Sequence, residues 1–435
     1  MQLEPPATGE PMTMNLHPFA DPASPAAAWP TRRVLWIATL AAMVPSLLLA
    51  VMIFAPLADG LDRYGYVPGR DFVNFWLGGR LALEGRVAAI YDLDAYHAVL
   101  KAMFAPAERF MNFSYPPHAL ALLLPLALLP YSIALPVWLL AGLTAFVAAA
   151  GGLVAAQDRR PRIVLLALSP IALLMLAIAQ ATGFLALLFV AGLALSKRRP
   201  VVAGVLLGLL TIKPQLGLLI PVYLVLRGAW TTVATAAVTA IALAGLSVVL
   251  FGIEPWRAYV EVTLPYQARV IAEPYGFVWT LMISPYAWLC QLGVAAPLAM
   301  KLHVAAALAV AALVGLAVRR CNDDRLAIAI TALGAVLVTP YSLTYDLTLP
   351  AAALFAWLAQ AERPPERWQS AAIGLFWASP FVLMWLNVSG IPLGPPILAG
   401  LFAALLVEAR QQHGTRINAV REGLRNPTIG ATFAS

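Results

Sequence analysis

Long apolar runs alternate with short polar breaks over most of this chain, and the charges in those breaks fall in an ordered way. The first run, 34–56, follows Arg32 and Arg33, which by the positive-inside rule places the N-terminus in the cytoplasm. The polar segment 57–117 then lies on the outer face. A short apolar piece, 119–129, ends at Pro130 and reads as re-entrant or interfacial, since it is too short to cross. Runs at 135–156, 163–179, 184–196, 231–251, 302–318, 326–339, 347–359, 370–386 and 391–407 read as crossings. Arg159 and Arg160, Lys197 to Arg199, and Arg319 and Arg320 mark their cytoplasmic ends.

The run 201–226 breaks this alternation. Basic residues flank it on both sides, and Lys213-Pro214-Gln215 interrupts its middle. A single crossing would violate the charge rule and strand a lysine at mid-bilayer. Two short helices turning at Lys213-Pro214 satisfy both constraints and predict a recessed, protein-lined cavity at the tip. The region 252–300 is then outside, with a semi-apolar piece, 277–296, broken by Pro285. The pattern predicts an all-α polytopic bundle of about 12 crossings with both termini cytoplasmic. One transmembrane domain, 34–408, lies between a disordered tail, 1–33, and a basic tail, 409–435.

Composition agrees with this class. Of 435 residues 61% are hydrophobic and 11% charged, and the mean hydropathy is +0.81. The net charge of +7 reflects basic cytoplasmic loops, and no nucleic-acid motif occurs. No P-loop, dinucleotide fingerprint, zinc-ligand cluster or nucleophile elbow appears either. Cys290 and Cys321 fall near opposite faces, which argues against a disulfide. An enzyme of this kind would work on the outer face without ATP, on a substrate carrying its own leaving group.

The richest polar stretch is 69–85, where Asp71 stands beside Arg70 among Phe72, Phe75 and Trp76, with Arg80 further along. Two readings are open: a general base beside an anion-binding patch, or an amphipathic helix resting on lipid headgroups. Lys213 is either a functional cation or a snorkelling one. Tyr115-Pro116-Pro117-His118 forms a rigid corner. Asp92 and Asp94 read as caps of the helix that follows them. Gln180, between two crossings, reads as a plain loop residue.

The ordered set Gly69-Arg70-Asp71, Phe75-Trp76, Gly79-Arg80, Ile90-Tyr91-Asp92, Ser114 to His118, the Lys-Pro hairpin GVLLGLLTIKPQ at 204–215, and Thr339-Pro340-Tyr341 with Tyr345-Asp346 resembles glycosyltransferase family 87. The likeness runs over roughly 65–350. It implies a GT-C-like fold and transfer of a hexose, mannose first, from a polyprenyl-phosphate donor to an acceptor hydroxyl. Asp71 would be the base of a single inverting step. Lys213, Arg80 and Arg70 would hold the donor phosphate, and Tyr115 and His118 the donor pocket. Trp76, Tyr345 and Asp346 complete the implied substrate pocket. No metal and no cofactor are expected, the lipid-linked sugar being itself a substrate.

One departure bears on the sugar. Mannosyltransferase members carry a Trp and paired histidines after the late Pro motif, where this chain has Leu343, Tyr345 and Asp346. Asp346 is either a contact to sugar hydroxyls or the cap of a helix from 347 onward. The implied acceptor is a glycolipid or polysaccharide, and the implied location a plasma (inner) membrane with the site on the periplasmic side. The competing reading is a transporter or lipid flippase without covalent chemistry. It fits less well, because the ionisable groups gather at one face and no repeated half is visible.

Overall fold

The computed structural model describes residues 30–107, 109, 111–151, 159–272, 276–361 and 365–425. The expected N-terminal tail up to residue 29, and the basic tail from 426, lie outside the described residues. The regular secondary structure of the described residues is all helical, apart from an isolated bridge between Met282 and Leu343.

Among the described residues, five helices are long and apolar enough to cross a bilayer: Arg33–Phe54, Tyr131–Ala149, Trp230–Phe251, Ala296–Arg320 and Arg367–Val388. A sixth is possible if Arg160–Ala167 and Pro170–Ile178, bent by 54° at Leu168 and Ser169, form one broken span. Ser169 caps the second half by accepting from Ala172 N–H, and Pro170 at its first turn costs no helical hydrogen bond. The expected count of about 12 crossings is not reached among the described residues, and most of the other expected runs form shorter helices. Thr182–Leu195 has 14 residues, Asp324–Val338 has 15 and Thr348–Leu358 has 11. At 1.5 Å per residue these reach roughly 16–22 Å, short of a ~30 Å hydrocarbon core.

The short helices differ from the long ones in burial. Every residue from Leu326 to Val338 and from Thr348 to Leu358 is buried. Such helices sit inside the protein and need not match the membrane thickness. In Trp230–Phe251, by contrast, only Thr232 and Ser247 are buried, as expected of a helix with lipid on most sides. The sequence pattern reports apolarity, which does not separate a lipid face from a protein core.

The expected Lys-Pro hairpin is present. Pro200–Leu209 is followed by one 3₁₀ turn, Leu210–Ile212, then Lys213, a second 3₁₀ turn, Pro214–Gly217, and the helix Ile220–Leu226. Pro214 bars Lys213 from helical geometry, and Lys213 adopts φ −132°, ψ 72°. Gly204 and Gly208, one turn apart, face Trp230–Phe251. A Cβ on Gly208 would meet the Ala236 carbonyl oxygen at 2.9 Å, so these glycines permit the close approach typical of membrane helix pairs.

Candidate functional site

An open pocket of about 740 Å³ lies where six separate segments converge. Asp71 and Asn74 come from the helix Asp71–Leu83; Ser114 and Tyr115 from the Pro-Pro corner; Gln180 from the turn after Pro170–Ile178. Lys213 and Gln215 come from the hairpin, Tyr259 and Gln267 from the outer segment, and Tyr341 and Tyr345 from the late loop. Its wall is thus one carboxylate, one ammonium, several amides and several phenols.

Asp71 reaches the pocket through a sharply turned backbone. Gly69 has φ 94°, and a Cβ there would stand 2.6 Å from the Tyr131 hydroxyl; that hydroxyl donates to the Pro68 carbonyl at 2.6 Å. Arg70 follows with φ 31°, ψ −97°, a strained conformation costing about 1–3 kcal/mol. Its side chain holds it there. Nε donates to Asp62 Oδ2 at 2.7 Å, both side chains 1% exposed. The guanidinium carbon lies 4.1 Å from the Phe277 ring centroid, 4.5 Å from Phe54 and 4.8 Å from Tyr66. Arg70 is therefore enclosed by aromatics and its carboxylate partner, and Asp71, the next residue, opens the helix at the pocket.

Asp71 Oδ2 accepts from Gln180 Nε2 at 2.6 Å. Gln180 is 4% exposed, and its Oε1 accepts from the Tyr115 hydroxyl at 3.0 Å and from Ala181 N–H at 2.7 Å. Burial lifts the Asp71 carboxyl to about 6, against the opposing pull of Arg70, Lys213 and the Gln180 hydrogen bond, with Asp346 adding to the rise. Burial also holds the Tyr115 phenol well above its usual range, so it remains a donor. A second tyrosine orients a second amide. The Tyr96 hydroxyl donates to Asn74 Oδ1 at 3.0 Å, and Asn74 also lines the pocket. Asn74 lies one turn from Asp71 on the same helix face.

Lys213 is 4% exposed. It donates to Asp346 Oδ1 and lies 4.9 Å from the Tyr345 ring centroid. Asp346 is fully buried, and its Oδ2 accepts from Leu343 N–H at 3.1 Å. It sits inside the one-turn helix Thr344–Leu347 rather than capping the helix beyond. The aspartate is thus the partner of Lys213 and stands behind the pocket wall.

The remaining expected site residues are placed elsewhere. Trp76 packs on Tyr131 and donates to the Leu129 carbonyl at 2.9 Å, apart from the pocket lining. Arg80 is exposed and pairs with Glu84 at 2.9 Å, also outside the lining. His118 sits one layer back, stacked on Trp256 at 5.7 Å with Nε2 3.2 Å from Thr211 Oγ1. Thr211 already donates to the Gly208 carbonyl at 2.6 Å, so the imidazole N–H must be the donor in that contact. His118 thereby braces the hairpin that carries Lys213. Asp92 caps Leu93–Phe104 by accepting from Asp94 and Ala95 N–H, as its position predicts.

Gln180 corrects the reading of it as a plain loop residue: its side chain is bonded to both Asp71 and Tyr115. The only sequence signal was a lone amide in the small, apolar turn Ala179-Gln180-Ala181. Asn74 gave less, hidden inside an aromatic helix. Gln267, whose amide donates to the Ser114 carbonyl at 2.8 Å, follows a widened π turn, Tyr259–Thr263, of the kind that gathers at functional sites.

The family model of glycosyltransferase family 87 matches residues 113–340. No curated protein and no solved structure matches the chain. The matched stretch contains Tyr115, His118, Gln180, Lys213 and Gln267. Asp71 and Asn74 precede it, and Tyr341, Tyr345 and Asp346 follow its end, yet the fold brings Asp71, Asn74, Tyr341 and Tyr345 to the same pocket and Asp346 to Lys213 behind its wall.

Proposed function

This chain belongs to glycosyltransferase family 87, a family of membrane glycosyltransferases, and from that premise we propose that it moves a hexose from a polyprenyl phosphate to an acceptor hydroxyl. Mannose is the first sugar to try, and the acceptor a glycolipid or polysaccharide. The site faces the outer side of a plasma (inner) membrane, and both termini are cytoplasmic. The observation that carries the reading is the meeting of Asp71 and Lys213, distant in sequence, in one pocket walled by amides and phenols.

The chemistry follows from the two charges. Asp71 takes the proton of the acceptor hydroxyl as its oxygen bonds to the anomeric carbon. The bond from that carbon to the phosphate oxygen breaks on the opposite side, so the anomeric configuration inverts. The electron pair leaves with polyprenyl phosphate, whose second negative charge meets Lys213. The lysine has three N–H donors, so its bond to Asp346 leaves others for the phosphate. Amides and phenols suit a neutral polyol.

Membranes containing the protein, fed radiolabelled mannosyl, glucosyl and galactosyl polyprenyl phosphates, provide the test. Asp71→Asn should lower transfer by about 10³-fold at equal protein level, the middle of the range for a positioned base. Transfer in the wild type should rise with pH through about 6 and level off above it, because only the carboxylate accepts the proton. Undiminished transfer by Asp71→Asn would remove the base assignment. A protein that consumes none of the donors yet moves an intact lipid across the bilayer would favour the flippase reading.

A further inference from the structure

We propose that Gln180 is the positioning residue for Asp71: it occupies Oδ2 and leaves Oδ1 as the oxygen that receives the acceptor proton. This rests on the reading of Asp71 as the base. The geometry leaves the amide no choice of orientation. Gln180 Oε1 accepts two hydrogen bonds, from the Tyr115 hydroxyl and from Ala181 N–H, and an acceptor with two donors on it cannot be the nitrogen. Nε2 therefore points at the carboxylate, where it stands 2.6 Å from Oδ2. Backbone supports the placement, since Ala179 is in the left-handed region at φ 55° and closes the helix Pro170–Ile178 just before Gln180.

The arrangement solves a specific problem. A carboxylate sharing a pocket with an ammonium would relax into an ion pair with it, and would then be a weak base. Here Lys213 is held by Asp346 and Asp71 is held by Gln180. A neutral amide orients the carboxylate without cancelling its charge. The groups that face Asp71 are Arg70 on its own helix, Lys213 and Asp346 from hairpin and late loop, and the phenols Tyr66, Tyr115, Tyr341 and Tyr345. Against these charges and phenols, the neutral amide of Gln180 is what donates a side-chain hydrogen bond to the Asp71 carboxyl.

The hydrogen bond favours the charged form, so its loss must push Asp71 upward. The probe is dicyclohexylcarbodiimide, which reacts with protonated carboxyls, with labelling of Asp71 followed by peptide mass spectrometry across pH. Wild-type labelling should fall as pH rises through about 6. In Gln180→Leu the midpoint should move up by about one pH unit, the scale of one hydrogen bond to a charged group. Gln180→Glu, nearly isosteric, should move it further by adding a second carboxylate, and serves if the leucine variant does not accumulate. The acid limb of sugar transfer should move with the labelling midpoint in each variant. An unmoved midpoint in a folded variant overturns the proposal, and so does a moved midpoint with an unmoved limb. Asp71→Asn keeps the two failures apart: full transfer by that variant removes the base itself, whatever Gln180 does to the labelling.

Discussion

Two cations flank Asp71, and the protein treats them differently. Arg70 is given Asp62 and a surround of Phe54, Tyr66 and Phe277 rings, and is absent from the pocket lining. Lys213 is given Asp346 and the face of Tyr345, yet its side chain lines the pocket. Both are nearly buried ion pairs, which cost desolvation and contribute stability only through good geometry. The difference is where the cation's remaining donors can go. Arg70 braces a strained turn apart from this pocket's lining, whereas Lys213 reaches the lining and keeps donors for an incoming anion. A sequence places an arginine and a lysine near the membrane surface; only their surroundings separate a fastener from a reagent.

The comparison breaks most visibly at Lys213. Lys213→Met should cost transfer about 10²–10³-fold, as for removal of one preorganised donor to developing charge, and should also destabilise the fold by stranding Asp346. Adding Asp346→Asn removes the stranded charge, so thermal unfolding in detergent should recover while transfer does not. The Arg70 pair should behave in the opposite sense. Arg70→Met leaves Asp62 buried without its cation, with the Tyr64 and Tyr66 N–H groups as partners, at a cost of about 3 kcal/mol, seen as a lowered unfolding temperature. The double variant with Asp62→Asn should regain much of both stability and transfer, because neither residue touches the reacting atoms. If Arg70→Met/Asp62→Asn folds well but stays inactive, Arg70 belongs with Lys213 and the contrast dissolves. The smallest effect is expected at Arg80, whose bond to Glu84 is exposed. Arg80→Ala should change stability by less than about 1 kcal/mol and leave the apparent KM for donor within a factor of two.

The chain was most legible where chemistry is local. Proline next to lysine in an apolar run foretold a break at Lys213, because proline restricts the residue before it. Pro116-Pro117 foretold the corner before the helix His118–Ala127, and Asp92 its cap. Asp71, Tyr115, Lys213 and Tyr345 were singled out in sequence and do line one pocket. Length of crossing was less legible, since a buried helix of 11 or 15 residues and a lipid-facing one of 22 share the same apolar signal.

Membrane class, helical architecture, the Lys-Pro hairpin and family membership are therefore properties of the sequence, because apolarity, proline geometry and motif order are all written along the chain. Tertiary structure alone decided the rest: that Asp346 neutralises Lys213 from 133 residues away, that Gln180 grips Asp71 across 109, and that Arg70 packs among the rings of Phe54, Tyr66 and Phe277. Those pairings depend on which buried polar groups find each other when water is excluded, and burial is a property of the packed molecule that no single stretch of residues carries.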